Sequence, residues 1–241
     1  MKKSIGLTLS SLHEKITIDK IEQFQNIVLK WLNQYNLVPT YFSVTGKGFS
    51  DKYVKFTQKK LLTLSDAKGY LDKDGKVIHG LDFSVTATES DAPSFDAFAV
   101  FLIGYREHKS ELYIKVLLNP NILDFETHEV GKLLKSFVSI FEIDFGFVYE
   151  HNAFSHVEAV ILEFDDGKFD QKEYKNFLQW YRYSNEEKLR NIRDVFSVNI
   201  LNKKYYESII QHLQDKDKLM NIELNDRRLA CLVKPSDTHY F

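Results

Sequence analysis

Apolar and polar positions alternate over residues 4–10, with Ile5, Leu7 and Leu9 on one side, and this period of two predicts a first strand. A helical stripe follows: Ile21, Phe24, Ile27, Val28, Trp31, Leu32 and Tyr35 recur at helical spacing. Asp19 and Glu22 have the spacing of a capping pair at its start. Asn36, with Pro39 beyond it, marks its end. Tyr41-Phe42-Ser43-Val44-Thr45 reads as a strand, and Gly46-Lys47-Gly48 as a turn. Ser50 then stands where it would cap a short helix carrying Tyr53, Val54, Phe56 and Leu61.

Asp72-Lys73-Asp74-Gly75 is a turn signal, and Val77–Ile78 and Leu81–Val85 read as two short strands. The middle of the chain is the strongest strand territory. Ala97–Tyr105 and Leu112–Leu118 flank the polar turn Arg106-Glu107-His108-Lys109-Ser110, the pattern of an antiparallel hairpin. A second amphipathic helix begins near Thr127 and carries Val130, Leu133, Leu134, Phe137, Val138 and Phe141 on one face. Residues 143–149 read as a strand, and Val157–Phe164 could form another, ending at Asp166-Gly167. Asp170 with Glu173, and Ser184 with Glu187, introduce further helices. Asn202 is placed to cap a last one, before a terminal hairpin of Leu219–Leu224 and Arg228–Val233. Strict strand–helix–strand alternation is missing. The expected class is therefore α+β: a mixed, mostly antiparallel sheet with flanking amphipathic helices.

The chain has 241 residues, enough for one self-sufficient core without disulfide or metal. It contains no Pro/Gly-rich linker. Residues 1–241 read as a single domain, the alternative being two lobes that share a core and divide near 120–126. Its 19 Phe, 13 Tyr and 2 Trp suit a Phe-rich core, with Tyr also available for a binding face. Net charge is −2, and the lysines and arginines are interleaved with acids. That pattern argues against direct nucleic-acid binding, which needs a basic stripe. The single cysteine, Cys231, lies in the apolar run 229–233, where a buried, inert thiol is expected. The apolar stretch after Met1-Lys2-Lys3 is short and interrupted, and none reaches the ~20 residues of a membrane helix. A cytoplasmic protein is expected.

Candidate chemistry is sparse. Gly46-Lys47-Gly48 lacks the second glycine spacing and the Lys-Ser/Thr of a phosphate loop. No serine sits in a glycine-flanked elbow. The densest histidine cluster is Glu150-His151 with His156 and Glu158. On a strand His156 and Glu158 would share a face, so an unrecognised enzyme site near His151 and His156 stays open as an alternative. No catalytic residue, metal ligand or cofactor is otherwise expected. Acidic, loop-like segments stand out at 88–96, around Asp165 and Asp166, and at Glu186-Glu187. Converging on one face, they would attract a basic protein and speed its association. Asp91, Phe95, Asp96, Asp165 and Asp166 are therefore the candidate partner-binding residues.

The run Ile192-Arg193-Asp194-Val195-Phe196-Ser197-Val198-Asn199-Ile200-Leu201-Asn202, followed by a Tyr-bearing helix and a terminal hairpin, resembles the immunity proteins of bacterial polymorphic-toxin and type VI secretion systems. Tyr41-Phe42-Ser43-Val44-Thr45-Gly46-Lys47-Gly48 is compatible with the same family. Together these segments cover about a quarter of the chain. A Trp common in the family's last strand is missing here. The resemblance implies a cytoplasmic, non-enzymatic protein that binds one cognate toxin, such as a nuclease, and blocks it. It carries over no catalytic residue. The alternative is another interaction or scaffold protein of phage defence or secretion.

Overall fold

The computed structural model describes residues 4–12, 14–47, 49, 52–57, 59, 77–87, 89, 97–119, 128–151, 198–202, 220–225 and 229–233. Ten strands occur among them: β1 (Ser4–Ser11), β2 (Tyr41–Lys47), β3 (Val54–Lys55), β4 (Val77–Thr86), β5 (Ala97–Arg106), β6 (Glu111–Leu118), β7 (Phe145–His151), β8 (Val198–Asn202), β9 (Met220–Asn225) and β10 (Leu229–Val233). Two α-helices accompany them, α1 (Ile18–Asn33) and α2 (His128–Ile140). The strands form one sheet in the order β3-β2-β4-β5-β6-β1-β7-β8-β10-β9. Every described pairing is antiparallel. The α+β class stands, with an antiparallel sheet among the described residues and two helices.

β1 lies between β6 and β7, so it joins strands from both sides of residues 120–126. All eight of its residues are buried, as a central strand covered on both faces requires. Ile5, Leu7 and Leu9 point to the face that carries both helices, where they join Phe42, Phe83, Phe101, Ile114, Val148 and Ile200 in the main core. Phe24 of α1 stacks between Phe83 of β4, at 6.4 Å, and Phe137 of α2, at 5.7 Å. Trp31 packs on Phe101 at 5.6 Å.

The opposite face is buried too but is chemically different. It holds a small apolar cluster of Ala97, Val100, Leu117, Phe147 and Tyr149. Buried polar residues surround that cluster, among them Thr8, Ser10, Ser43, Asp82, Ser84 and Glu111. Two glycines make room for rings here. The Tyr149 ring lies where a Cβ on Gly6 would stand, and the Tyr113 ring does the same over Gly104.

Several local expectations change. Thr17, in extended conformation, caps α1 by accepting the Lys20 N–H at 3.2 Å, in place of the Asp19–Glu22 pair. Asp19 sits in the first turn, where a negative charge suits the helix dipole. Gly46 and Lys47 end β2, where the Phe49 N–H bonds the Gly46 carbonyl at 3.1 Å as in a tight turn, and Gly46, at φ 143°, sits at a register shift. On β4 that shift leaves His79 without an opposite residue. The extra residue puts Ile78 on the same face as Leu81 and merges the two expected short strands into one. The expected helix around Tyr53 and Val54 is instead extended chain. Val54–Lys55 pair with β2, and the Phe56 N–H bonds the Thr40 carbonyl at 2.9 Å. Phe56 then packs on Phe42 and Phe83, a tertiary gain that overrides local helix preference. Asn202 closes β8. The expected elements at 157–164, 170–181 and 184–192, and the Tyr-bearing helix after Asn202, lie outside the described residues.

Candidate interaction surface and a buried acid

α1 and α2 lie side by side and run antiparallel. At one end the Lys20 Nζ donates to the carbonyl of Ile140, the last residue of α2, at 2.9 Å. At the other, Tyr35 beyond the end of α1 bonds Glu129 in the first turn of α2. The stripes of the two helices that border their shared seam leave a furrow of about 450 Å³. Gln23, Asn26, Ile27, Lys30, Trp31 and Gln34 line it from α1, at successive turns of one helix face. Lys132, Leu133, Ser136, Ser139 and Ile140 line it from α2. Trp31 and Leu133 are buried and Ile27 and Ile140 partly so, which gives an apolar floor. The lysines, amides and hydroxyls are exposed and form the rims. Among the described lining residues there is no carboxylate.

Glu129 lies beside this furrow. A hydrogen bond from Lys132 lowers its pKa, assisted by the charge of His128 and the Tyr35 hydroxyl. His128 Nε2 is 3.0 Å from its Oε1. On the opposite rim, Lys30 makes no ion pair among the described residues.

A second feature is buried in the polar face of the sheet. Asp82 of β4, 5% exposed, stands opposite Ser43 of β2. Burial pushes its carboxyl up to about 7, against the opposing effect of a hydrogen bond from the Tyr53 hydroxyl. Among the described residues its Oδ1 has no hydrogen-bond partner, nor does the hydroxyl of Ser84, two residues along the same strand. The acid is thus held in a setting that favours its neutral form.

Near the β5–β6 turn, Glu111 is buried and fully engaged. Ser10 Oγ donates to one of its oxygens at 2.9 Å, and Arg106 to the other at 3.2 Å. The Arg106 guanidinium also lies 4.4 Å from the Tyr113 ring centroid. Such a closed set of partners is structural.

Asp91, Phe95, Asp96, Asp165 and Asp166 all lie outside the described residues. The nearest described acid is Glu89, exposed and paired with Lys55 across the sheet edge. His151 ends β7 opposite Ser4, while His156 and Glu158 lie outside the described residues. Cys231 occupies β10, in register with Ile200 on one side and Ile222 on the other. Among the described residues no group of three or more His, Cys, Asp and Glu is placed to hold a metal. No described helix is long and apolar enough to cross a membrane.

Sequence reading missed Lys30, Lys132 and Asp82. Asp82 carried a signal, as an acid between Leu81 and Phe83 in a strand of otherwise apolar and small residues. The two lysines carried none, because each occupies an ordinary polar position of an amphipathic helix.

The architecture is a wide antiparallel sheet with a helix pair on one face. No protein-family model matches the sequence, and no curated protein matches it. The fold is similar to a solved structure, the Pseudomonas aeruginosa T6SS protein PA0821. The two align with a TM-score of 0.59 at 12% sequence identity, over 97% of this chain and 68% of that one.

Proposed function

We propose that this chain is a protein of a type VI secretion system that acts by binding, as the immunity partner of a cognate toxin. The observation that carries the reading is the likeness in fold to a T6SS protein along 97% of the chain. The immunity-like stretch 192–202 supports it from the sequence, and its described part, Val198–Asn202, forms β8 within the sheet. Neutralisation would come from direct contact with the toxin, with no chemical step.

The test is a tagged pull-down from the native bacterium, with each captured protein expressed alone and together with this chain. Capture of a growth-arresting protein whose effect co-expression relieves is the expected result. Capture of none that is toxic would end the immunity reading. Charge reversal at Asp91, Asp96, Asp165 and Asp166 then tests whether these acids steer the toxin. Slower association is expected, and an unchanged rate would remove them from the interface.

A further inference from the structure

We infer that the furrow between α1 and α2 receives an acidic segment of a protein partner, with a carboxylate seated between Lys30 and Lys132. The inference rests on the reading that this chain works by binding protein, and it names the chemistry of one contact.

The sign of the furrow is the first ground. Its described lining carries two lysines and no carboxylate. Because the helices run antiparallel, Lys30, near the end of α1, and Lys132, near the start of α2, stand at the same end on opposite rims. Glu129 is already held by Lys132, His128 and Tyr35, so it partly offsets Lys132 alone. Lys30 has no ion pair among the described residues, and the surplus positive charge therefore sits on its rim.

The remaining lining fits a polypeptide. Gln23, Asn26, Ser136 and Ser139 offer both donors and acceptors, which suit main-chain groups. The Trp31 and Ile140 floor suits a large apolar side chain next to the acid. The two lysines of its described lining are too few to hold a nucleic-acid backbone, where affinity comes from neutralising many phosphates. Across a partly apolar furrow the uncompensated charge of Lys30 favours a carboxylate more strongly than it would in open water.

The test is selection of a random displayed peptide library on the intact chain, followed by titration of the isotope-labelled chain with the best synthetic peptide. Enriched peptides should place Asp or Glu beside a large apolar residue. Amide shifts should centre on Asn26, Lys30 and Ser136. Reversing both exposed lysines, Lys30→Glu with Lys132→Glu, should weaken binding about tenfold or more, in a variant whose circular dichroism is unchanged. The inference is overturned by no enrichment, by enrichment without acids, by shifts elsewhere, or by equal affinity of the double variant. Concentration-dependent shifts at the same residues without peptide would also overturn it, because a second copy would then be the occupant. The growth-rescue assay separates the two readings. Rescue by the wild-type chain with a failed peptide selection sinks only the furrow. Peptide binding with no toxin captured sinks only the immunity reading.

Discussion

Lys20, in the first turn of α1, reaches across to the carbonyl of Ile140 and so closes the C-terminal end of α2. Its ammonium also pairs with Glu14 at 2.7 Å and lies 5.1 Å from the Phe141 ring centroid. One cation thus supplies a helix stop, an ion pair and an aromatic contact. Lys20→Met keeps the aliphatic stem and removes all three polar interactions. It should cost ~1–2 kcal/mol in urea unfolding. A loss below a few tenths would mean that water replaces the ammonium without penalty.

Asp82 makes stability depend on pH in the less usual direction. Its folded value of about 7 stands above the ordinary 3.8, so the folded state holds the proton more tightly than the unfolded chain. Stability from this group is fully present below 3.8, declines as pH rises toward 7, and is flat beyond. The decline is at most about 1.4 kcal/mol per pH unit. Asp82→Asn should flatten that part of the curve and leave the variant the more stable form at pH 8. Its advantage there should be of the order of a few kcal/mol. Parallel denaturation series for the two proteins would decide it, and identical slopes would rule out a buried neutral acid.

Glu129 provides the contrast. Its pKa is lowered, so its contribution is present above the ordinary carboxylate range and is lost as pH falls through the folded value. The lysine it pairs with is exposed, and Glu129→Gln should cost no more than ~0.5 kcal/mol at neutral pH. A larger loss in thermal unfolding would show that the Tyr35 contact ties the two helices together more firmly than the ion pair does.

Gly6 and Tyr149 exclude one another's enlargement. A Cβ on Gly6 would stand 2.0 Å from a carbon of the Tyr149 ring. Gly6→Ala should therefore destabilise by ~1–3 kcal/mol. Adding Tyr149→Leu should recover part of that loss. A double-mutant cycle reads the coupling directly, and additive effects would show that the ring simply swings aside.

Phe24 joins three elements through its stacking on Phe83 and Phe137. Phe24→Ala should cost ~3–5 kcal/mol in chemical unfolding. A cost near 1 kcal/mol would mean that the helix pair settles into the vacancy.

Much of this architecture was legible in the hydrophobic pattern. The α1 stripe from Ile21 to Leu32 and the α2 stripe from Val130 to Val138 fold as helices, with all of those residues buried except Ile27, which is partly so. The β5–β6 hairpin forms around its polar turn, with Ser110 left-handed at φ 48°. The errors fall where long-range pairing decides. Val54 has a helical neighbourhood in sequence but is a strand because β2 offers it an edge. The bulge at His79 changes which residues face the core, and no local signal announces it. The furrow was not legible at all, since it depends on which two stripes meet. The acidic picks came from composition in loops, and the described residues do not include them.

The place of β1 between β6 and β7 also sets an order of events. Ile5 pairs with Leu118 on one side and with Glu150 on the other, so β1 waits for partners made much later. Contacts so distant along the chain close slowly, and β1 cannot gain both of its neighbours until β7 has emerged. Until β6 has emerged Ile5, Leu7 and Leu9 have no sheet neighbours, and the nascent chain carries a central strand unpaired while β2 to β5 are made. Synthesis rate and chaperone supply should therefore affect the yield of folded protein.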